Sequence, residues 1–222
     1  MAHDYDHEPV RGLPEAPPEG ERILWQGAPS AISLARHALN AGWIAGYFAA
    51  LAIWRGYVVG VEDGFAAGVT MASWFAAIGL IAVGVLALMA WVMAKATVYT
   101  ITNRRIAMRI GAALTVTLNL PYRWINSADL TTHRDGTGTI ALDLRGETRF
   151  SYLVLWPHVR PWVVNRTQPA LRCIPEPDKV AALIAEAAAI EVAEISVGAA
   201  AAQETGPEAR PAPAGGWPMP AE

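Results

Sequence analysis

The sequence predicts a membrane α-helical hairpin followed by a cytoplasmic antiparallel β-barrel or sandwich, capped by a C-terminal helix. Three observations predict it. Two runs without a charged residue stand in the first half of the chain, the apolar period changes from helical to two beyond Lys95, and one amphipathic helical stripe follows Pro177. Composition agrees: of 222 residues 53% are hydrophobic and 17% charged, against about 25% charged in ordinary globular chains. Mean hydropathy is +0.25. That balance argues against a wholly soluble or wholly disordered chain. A net charge of -3 gives no basic field for phosphate contacts, so nucleic acid is not an expected partner. Cys173 is the single cysteine, which excludes an internal disulfide and a Cys-based zinc site, and it reads as a small core residue.

Residues 1–20 hold Pro9, Pro14, Pro17 and Pro18 among ionisable side chains, and no apolar stretch follows a basic start. A polar, disordered tail without a cleavable signal peptide is expected. The second region, residues 21–95, opens with a short amphipathic run from Glu21 to Trp25 and then carries two transmembrane helices, at about 38–58 and 66–94. Ala38 to Trp54 is uncharged and close to the shortest span that about 1.5 Å of rise per residue allows across roughly 30 Å of hydrocarbon. Gly64 to Ala94 is uncharged over a much longer stretch and crosses comfortably. Trp43, Trp54, Trp74 and Trp91 read as interface anchors or as helix-packing residues, and Glu62 and Asp63 mark the connecting turn. Arg22 and Arg36 precede the helices, Lys95, Arg104, Arg105 and Arg109 follow them, and only Arg55 lies between. The positive-inside rule therefore predicts a multi-pass protein of the cytoplasmic or intracytoplasmic membrane with both termini cytoplasmic.

Residues 96–192 form the third region. Ile106, Met108 and Ile110, then Leu114, Val116, Leu118 and Leu120, then Ile140, Leu142 and Leu144 alternate with polar or small residues, the mark of half-buried strands. Turn signals at Asn103, Gly111, Pro121, Gly136 and Gly146 separate them, leaving room for six or seven strands between Ala96 and Arg172. Pro177 and Asp178 open a helix whose Val180, Leu183, Ile184 and Ala187 share one face. Leu183 and Ile184 are expected to close the sheets. Residues 193–222, rich in Ala, Gly, Pro and Glu, are expected to be a disordered tail.

The search for chemistry returns no phosphate-cradling loop, nucleophile elbow, HExxH or intramembrane acidic pair, so the chain reads as a non-enzyme with no cofactor and no metal. His3, Asp4, Asp6, His7 and Glu8 resemble a ligand cluster, but a tail gives them no fixed geometry. His37 adds to the basic end of the first helix, and His133 reads as a loop histidine. Arg104 and Arg105 either contact anionic lipid headgroups, each such contact being worth about 1 kcal/mol, or only enforce topology and close a turn. In Leu155 to Trp162, Pro157 and Pro161 remove two backbone donors and should end regular pairing near Trp156. Trp156, His158, Arg160 and Trp162 form the candidate partner-binding segment, because Trp and Arg are enriched at binding hot spots; covering one end of the barrel is the plainer alternative.

The segments EGERILWQG and TVYTITNRRIAMRIG, on either side of the hairpin, resemble the bacterial pleckstrin-homology-like (PH-like) membrane proteins. With EPVRGLPEAPPEGERILWQG, TVYTITNRRIAMRIGAALTVTLNLPYR and SYLVLWPHVRPW, the chain is similar over residues 8 to 192 to the PuhB family of photosynthetic complex assembly proteins in purple bacteria. The resemblance implies a non-enzymatic assembly factor whose partners are the reaction centre and core antenna subunits, together with membrane lipids and a possible second copy. It brings no catalytic residues and no phosphoinositide site. A membrane-anchored lipid-headgroup-binding module is the competing reading, favoured if basic residues cluster on one face beside the bilayer.

Overall fold

In a computed structural model, residues 11–13, 15–111, 115–146 and 150–204 are described. Strand β1 (Ile23–Gly27) leads into a short helix α1 (Ala31–His37), followed by helices α2 (Ala41–Asp63) and α3 (Phe65–Ala96). Strands β2 (Val98–Thr102), β3 (Arg105–Ile110) and β4 (Val116–Pro121) precede a 3-10 turn at Tyr122–Trp124. Then come β5 (Ile125–Thr132), β6 (Thr137–Leu144), a one-turn helix α4 (Tyr152–Leu155), β7 (Ala170–Pro175) and helix α5 (Pro177–Glu204).

Helices α2 and α3 are both long and apolar enough to cross a membrane. Gly64, at φ +95, is the whole connection, so Glu62 and Asp63 end the first helix rather than forming a turn. The two pack antiparallel: a side chain added at Gly56 would meet Ala72, one at Gly68 would meet Gly56 and Gly60, and one at Gly79 would meet Phe48. Small residues bring the backbones into contact at the crossing, which is how helices associate where lipid supplies no hydrophobic contrast. Elsewhere their surfaces are bare, with Trp43 82%, Ile53 74% and Leu80 75% exposed.

The soluble part is two antiparallel sheets, ordered β1-β2-β3-β4 and β5-β6-β7, so the expected barrel does not close and the sandwich alternative describes the fold. Strand β1 was not expected: the amphipathic lead-in pairs with β2 as the edge of the first sheet, Trp25 opposite Ile101. The predicted alternation locates the core well, since Ile106, Met108, Ile110, Leu118, Leu120, Ile140, Leu142 and Leu144 all lie in one buried cluster. Leu114 lies outside the described residues. Strand β2 shows no alternation because both of its faces are covered. Tyr99 and Ile101 enter the core, while Gly12 sits against Val98 and Gln26 Nε2 donates to Thr100 Oγ1.

Helix α5 closes the sandwich through Val180, Ile184 and Ala187. Leu183, expected beside Ile184, is only half-buried, because the helix rests on the 3-10 turn and on β5 and β6 along one narrow ridge and Leu183 falls to its side. The expected disorder from residue 193 is also corrected. Helix α5 continues to Glu204 through an alanine-rich run of high helix propensity, and residues 205–222 lie outside those described.

Candidate functional site

The hairpin and the sheets meet at a groove of about 530 Å³ lined by His37, Asn40, Leu86, Met89, Trp156, Pro157, Trp162 and Arg172, among others. Helix α1 builds one wall. Ser30 caps it by accepting from the Ser33 N–H, and the Ser30 N–H donates to the Cys173 carbonyl 2.8 Å away in β7. Leu34, Ala35 and Leu39 pack with Ala90 of α3 and Cys173, so one short helix is wedged between the helical hairpin and the second sheet.

Polar contacts fix that wedge. Ser33 Oγ lies 2.9 Å from Asp135 Oδ2 and 2.6 Å from Thr137 Oγ1, and His37 Nε2 lies 3.2 Å from the same Asp135 oxygen. The Thr137 hydroxyl and backbone N–H, Ser33 and His37 hold the Asp135 carboxyl well below the usual carboxylate range, outweighing the opposing effect of burial. The His37 ring stacks on His133, centroids 4.1 Å apart. Burial, and then the neighbouring His37, lower the His133 pKa. His133 is thus part of a packed contact, not an isolated loop histidine. Arg172, 5% exposed, donates to the Val159 carbonyl at 2.9 Å and to the His37 carbonyl at 3.1 Å, tying the end of α1 to the loop after α4.

Beneath the groove runs a second polar chain. The Arg172 N–H donates to Tyr99 Oη at 3.2 Å, Tyr99 Oη stands 2.6 Å from His158 Nδ1, and His158 Nε2 stands 3.2 Å from Thr97 Oγ1. The Thr97 hydroxyl donates to the Met93 carbonyl, so Thr97 accepts from His158, and Nδ1 must then accept from the Tyr99 phenol. This tautomer satisfies every group only when the imidazole is neutral. Burial, and secondarily the Arg172 charge, lower the His158 pKa to about 3, while burial raises that of Tyr99.

The sequence-predicted site residues are only partly brought together. Trp156 and Trp162 line the groove and are 41% and 93% exposed. His158 is 2% exposed and lies inside the fold, which removes it from any contact surface. Arg160 reaches away to Asp129 Oδ2 at 2.7 Å and Gln168 Oε1 at 3.1 Å. Strand pairing does not end near Trp156 as expected: β6 has already ended at Leu144, α4 precedes Trp156, and beyond it Val159 bridges to Pro169 while the Arg160 N–H donates to the Gln168 carbonyl. The two prolines thus interrupt an irregular loop rather than a strand.

Arg104 lies within 4.0 Å of Glu191 and 3.9 Å of Glu194 on α5, and Arg105 Nε donates to Glu21 at 2.9 Å. They stand at the end of β2 opposite α3, because the strand leads away from Ala96, and acidic side chains already meet both. The clamp residues Ser33, Asp135, Thr137 and Arg172 were missed. Pro29-Ser30 followed by Arg36-His37 is a cap-and-basic-end signal for a short helix, but no local pattern pairs it with a turn a hundred residues later.

Among the described residues no group of three or more His, Cys, Asp or Glu could hold a metal ion. His3, Asp4, Asp6, His7 and Glu8 lie outside those residues. The groove sets the apolar side chains of Leu86, Met89, Trp156 and Trp162 beside the polar ones of His37, Asn40 and Arg172.

Comparison with known proteins follows the same architecture. The chain is 44% identical over 200 residues, 89% of its own length and 94% of the relative's, to a Rhodobacter capsulatus protein described as an uncharacterized 23.7 kDa protein in the puhA 5′ region. No solved structure matches. A family model described as Bacterial PH domain matches residues 38–188, through both long helices and most of the two sheets. The chain belongs to the bacterial PH-domain family.

Proposed function

We propose that this protein is a membrane assembly factor of the PuhB kind, a non-enzymatic scaffold that helps the photosynthetic reaction centre and its core antenna come together. The observation that carries this reading is the mechanical coupling of hairpin and sheets. Helix α1, Arg172 and the His158 chain join the base of α3 to β2, β7 and the β5–β6 turn, so a partner held by the helices is held at a set angle to the soluble domain. The relative's place in the puhA 5′ region supports the choice of partner.

In this reading α2 and α3 span the cytoplasmic or intracytoplasmic membrane as a multi-pass hairpin, the basic residues flanking it keep both termini cytoplasmic, and the bare helix faces meet partner subunits. A second copy of the chain competes for the same faces. Photo-crosslinkers placed one at a time at Ile53 and Ile81, which are 74% and 68% exposed, test this in native membranes. Capture of reaction-centre or core-antenna subunits supports the reading. Capture of only lipid or of a second copy at both positions overturns it.

The lipid-headgroup module loses support at Arg104 and Arg105, which are already met by Glu191, Glu194 and Glu21.

A further inference from the structure

We propose that the segment from Tyr152 to Val164 is a third membrane anchor, with Leu153, Val154, Trp156, Trp162 and Val164 seated at the headgroup–acyl boundary of the bilayer beside α3. The proposal rests on the reading of α2 and α3 as membrane spans.

Side-chain exposure comes first. Leu153 is 84% exposed, Val154 57%, Trp156 41%, Trp162 93% and Val164 63%. Such a concentration of large apolar side chains on one short segment marks a surface that something covers. The segment is not loose, however. Leu155 and Val159 are 2% and 1% exposed and root it in the main core, so the outward residues are held out by inward ones. Trp162 has φ +67, a left-handed conformation that a bulky residue adopts only against resistance.

Charge points to lipid. Between Phe150 and Val164 the one permanently charged side chain is Arg160, and it turns onto Asp129. The one histidine, His158, is buried and neutral. The surface that remains is apolar with two indoles, the composition favoured at membrane interfaces.

Depth decides the occupant. Trp74 and Trp91 of α3 are 66% and 53% exposed. Seventeen residues separate them, about 25 Å at 1.5 Å per residue, which brackets most of a hydrocarbon core of roughly 30 Å. Met89 and Leu86 stand two and five residues inside Trp91, within about 8 Å along the axis. These are the α3 residues that line the groove with Trp156 and Trp162. The indoles of the loop therefore lie at the level where α3 itself leaves the hydrocarbon, and Trp156 and Trp162 continue the apolar surface of Leu86 and Met89.

The test uses the full-length chain in phosphatidylcholine–phosphatidylglycerol vesicles. Cys173 is wholly buried, so spin labels attach only at introduced cysteines. The four single variants are Trp162→Cys, Leu153→Cys, Leu80→Cys and Thr131→Cys. All replace surface side chains, and Leu80 and Thr131 serve as the mid-span and aqueous references. Collision with oxygen reports lipid, and collision with a water-soluble nickel chelate reports solvent.

The expected result is that labels at 162 and 153 share the oxygen-rich, nickel-shielded behaviour of the label at 80 and lose the nickel collisions seen at 131. If the label at 80 reads lipid while those at 162 and 153 meet nickel freely, the anchor is wrong and the membrane spans stand. Exclusion of both reagents at 162 and 153 would mean a protein cover, either a second copy or a partner subunit, and would also overturn the proposal. Free nickel access at 80 would remove the spans and the anchor together.

Discussion

The phenol of Tyr99 donates to Nδ1 of His158 across 2.6 Å, inside a domain where neither side chain is more than 2% exposed. The bond belongs to a chain from β7 to the last turn of α3, in which Arg172, Tyr99, His158 and Thr97 each have one role to fill. Protonating the imidazole gives Nδ1 a hydrogen that faces another donor.

Acid should therefore weaken the fold through His158. Its folded pKa of about 3 lies below the unfolded value near 6.5, so its contribution to stability is complete above pH 6.5 and is lost as pH falls. The expected slope is about 1.4 kcal/mol per pH unit below pH 6.5. His158→Phe should cost about 1 to 3 kcal/mol at pH 7, because Tyr99 loses its acceptor and Thr97 a donor. The same change should flatten the pH slope, which denaturant unfolding between pH 5 and 8 measures.

Removing the carboxylate at the α1 clamp should free α1 without unfolding the sheets. Asp135→Ala deletes the acceptor shared by Ser33, His37 and Thr137, at a cost of about 1 kcal/mol given its partial exposure. Hydrogen exchange should rise in Ala31–His37 while β2 and β3 stay protected. Equal protection of α1 in the variant would show that apolar packing alone holds it.

Helix α5 should respond at Ile184 and much less at Leu183. Ile184→Ala empties a site 4% exposed and is expected to cost about 2 to 5 kcal/mol. Leu183→Ala, at a half-buried position, should cost less than half as much. Unfolding midpoints of the two full-length variants in detergent compare them directly.

Much of this fold is legible in the sequence, because burial of one face leaves a period. Two uncharged runs located α2 and α3, although α2 begins at Ala41 and continues past the expected end at 58 through Asp63. Alternation located the core faces of β3, β4 and β6, and Val180, Ile184 and Ala187 gave the cap. Strand β1 was hidden by its shortness, and β2 by having both faces covered.

The candidate site was legible only in part. Pro157 and Pro161 correctly announced an irregular segment carrying exposed Trp156 and Trp162. Nothing local reveals that His158 turns inward with Pro157 and Val159 while Trp156 stays exposed, or that Arg160 is claimed by Asp129. The clamp joining Ser33 and His37 to Asp135 spans about a hundred residues, and long-range polar pairing leaves no periodic trace.

The central claim is that this chain assists assembly of the photosynthetic complex, and the yield of that complex tests it. In cells lacking the protein, the near-infrared absorbance of assembled reaction centre and core antenna should fall while synthesis of the subunits, followed by pulse labelling, continues at the normal rate. Re-expression of the intact chain should restore it. Unchanged absorbance at unchanged synthesis would contradict the account.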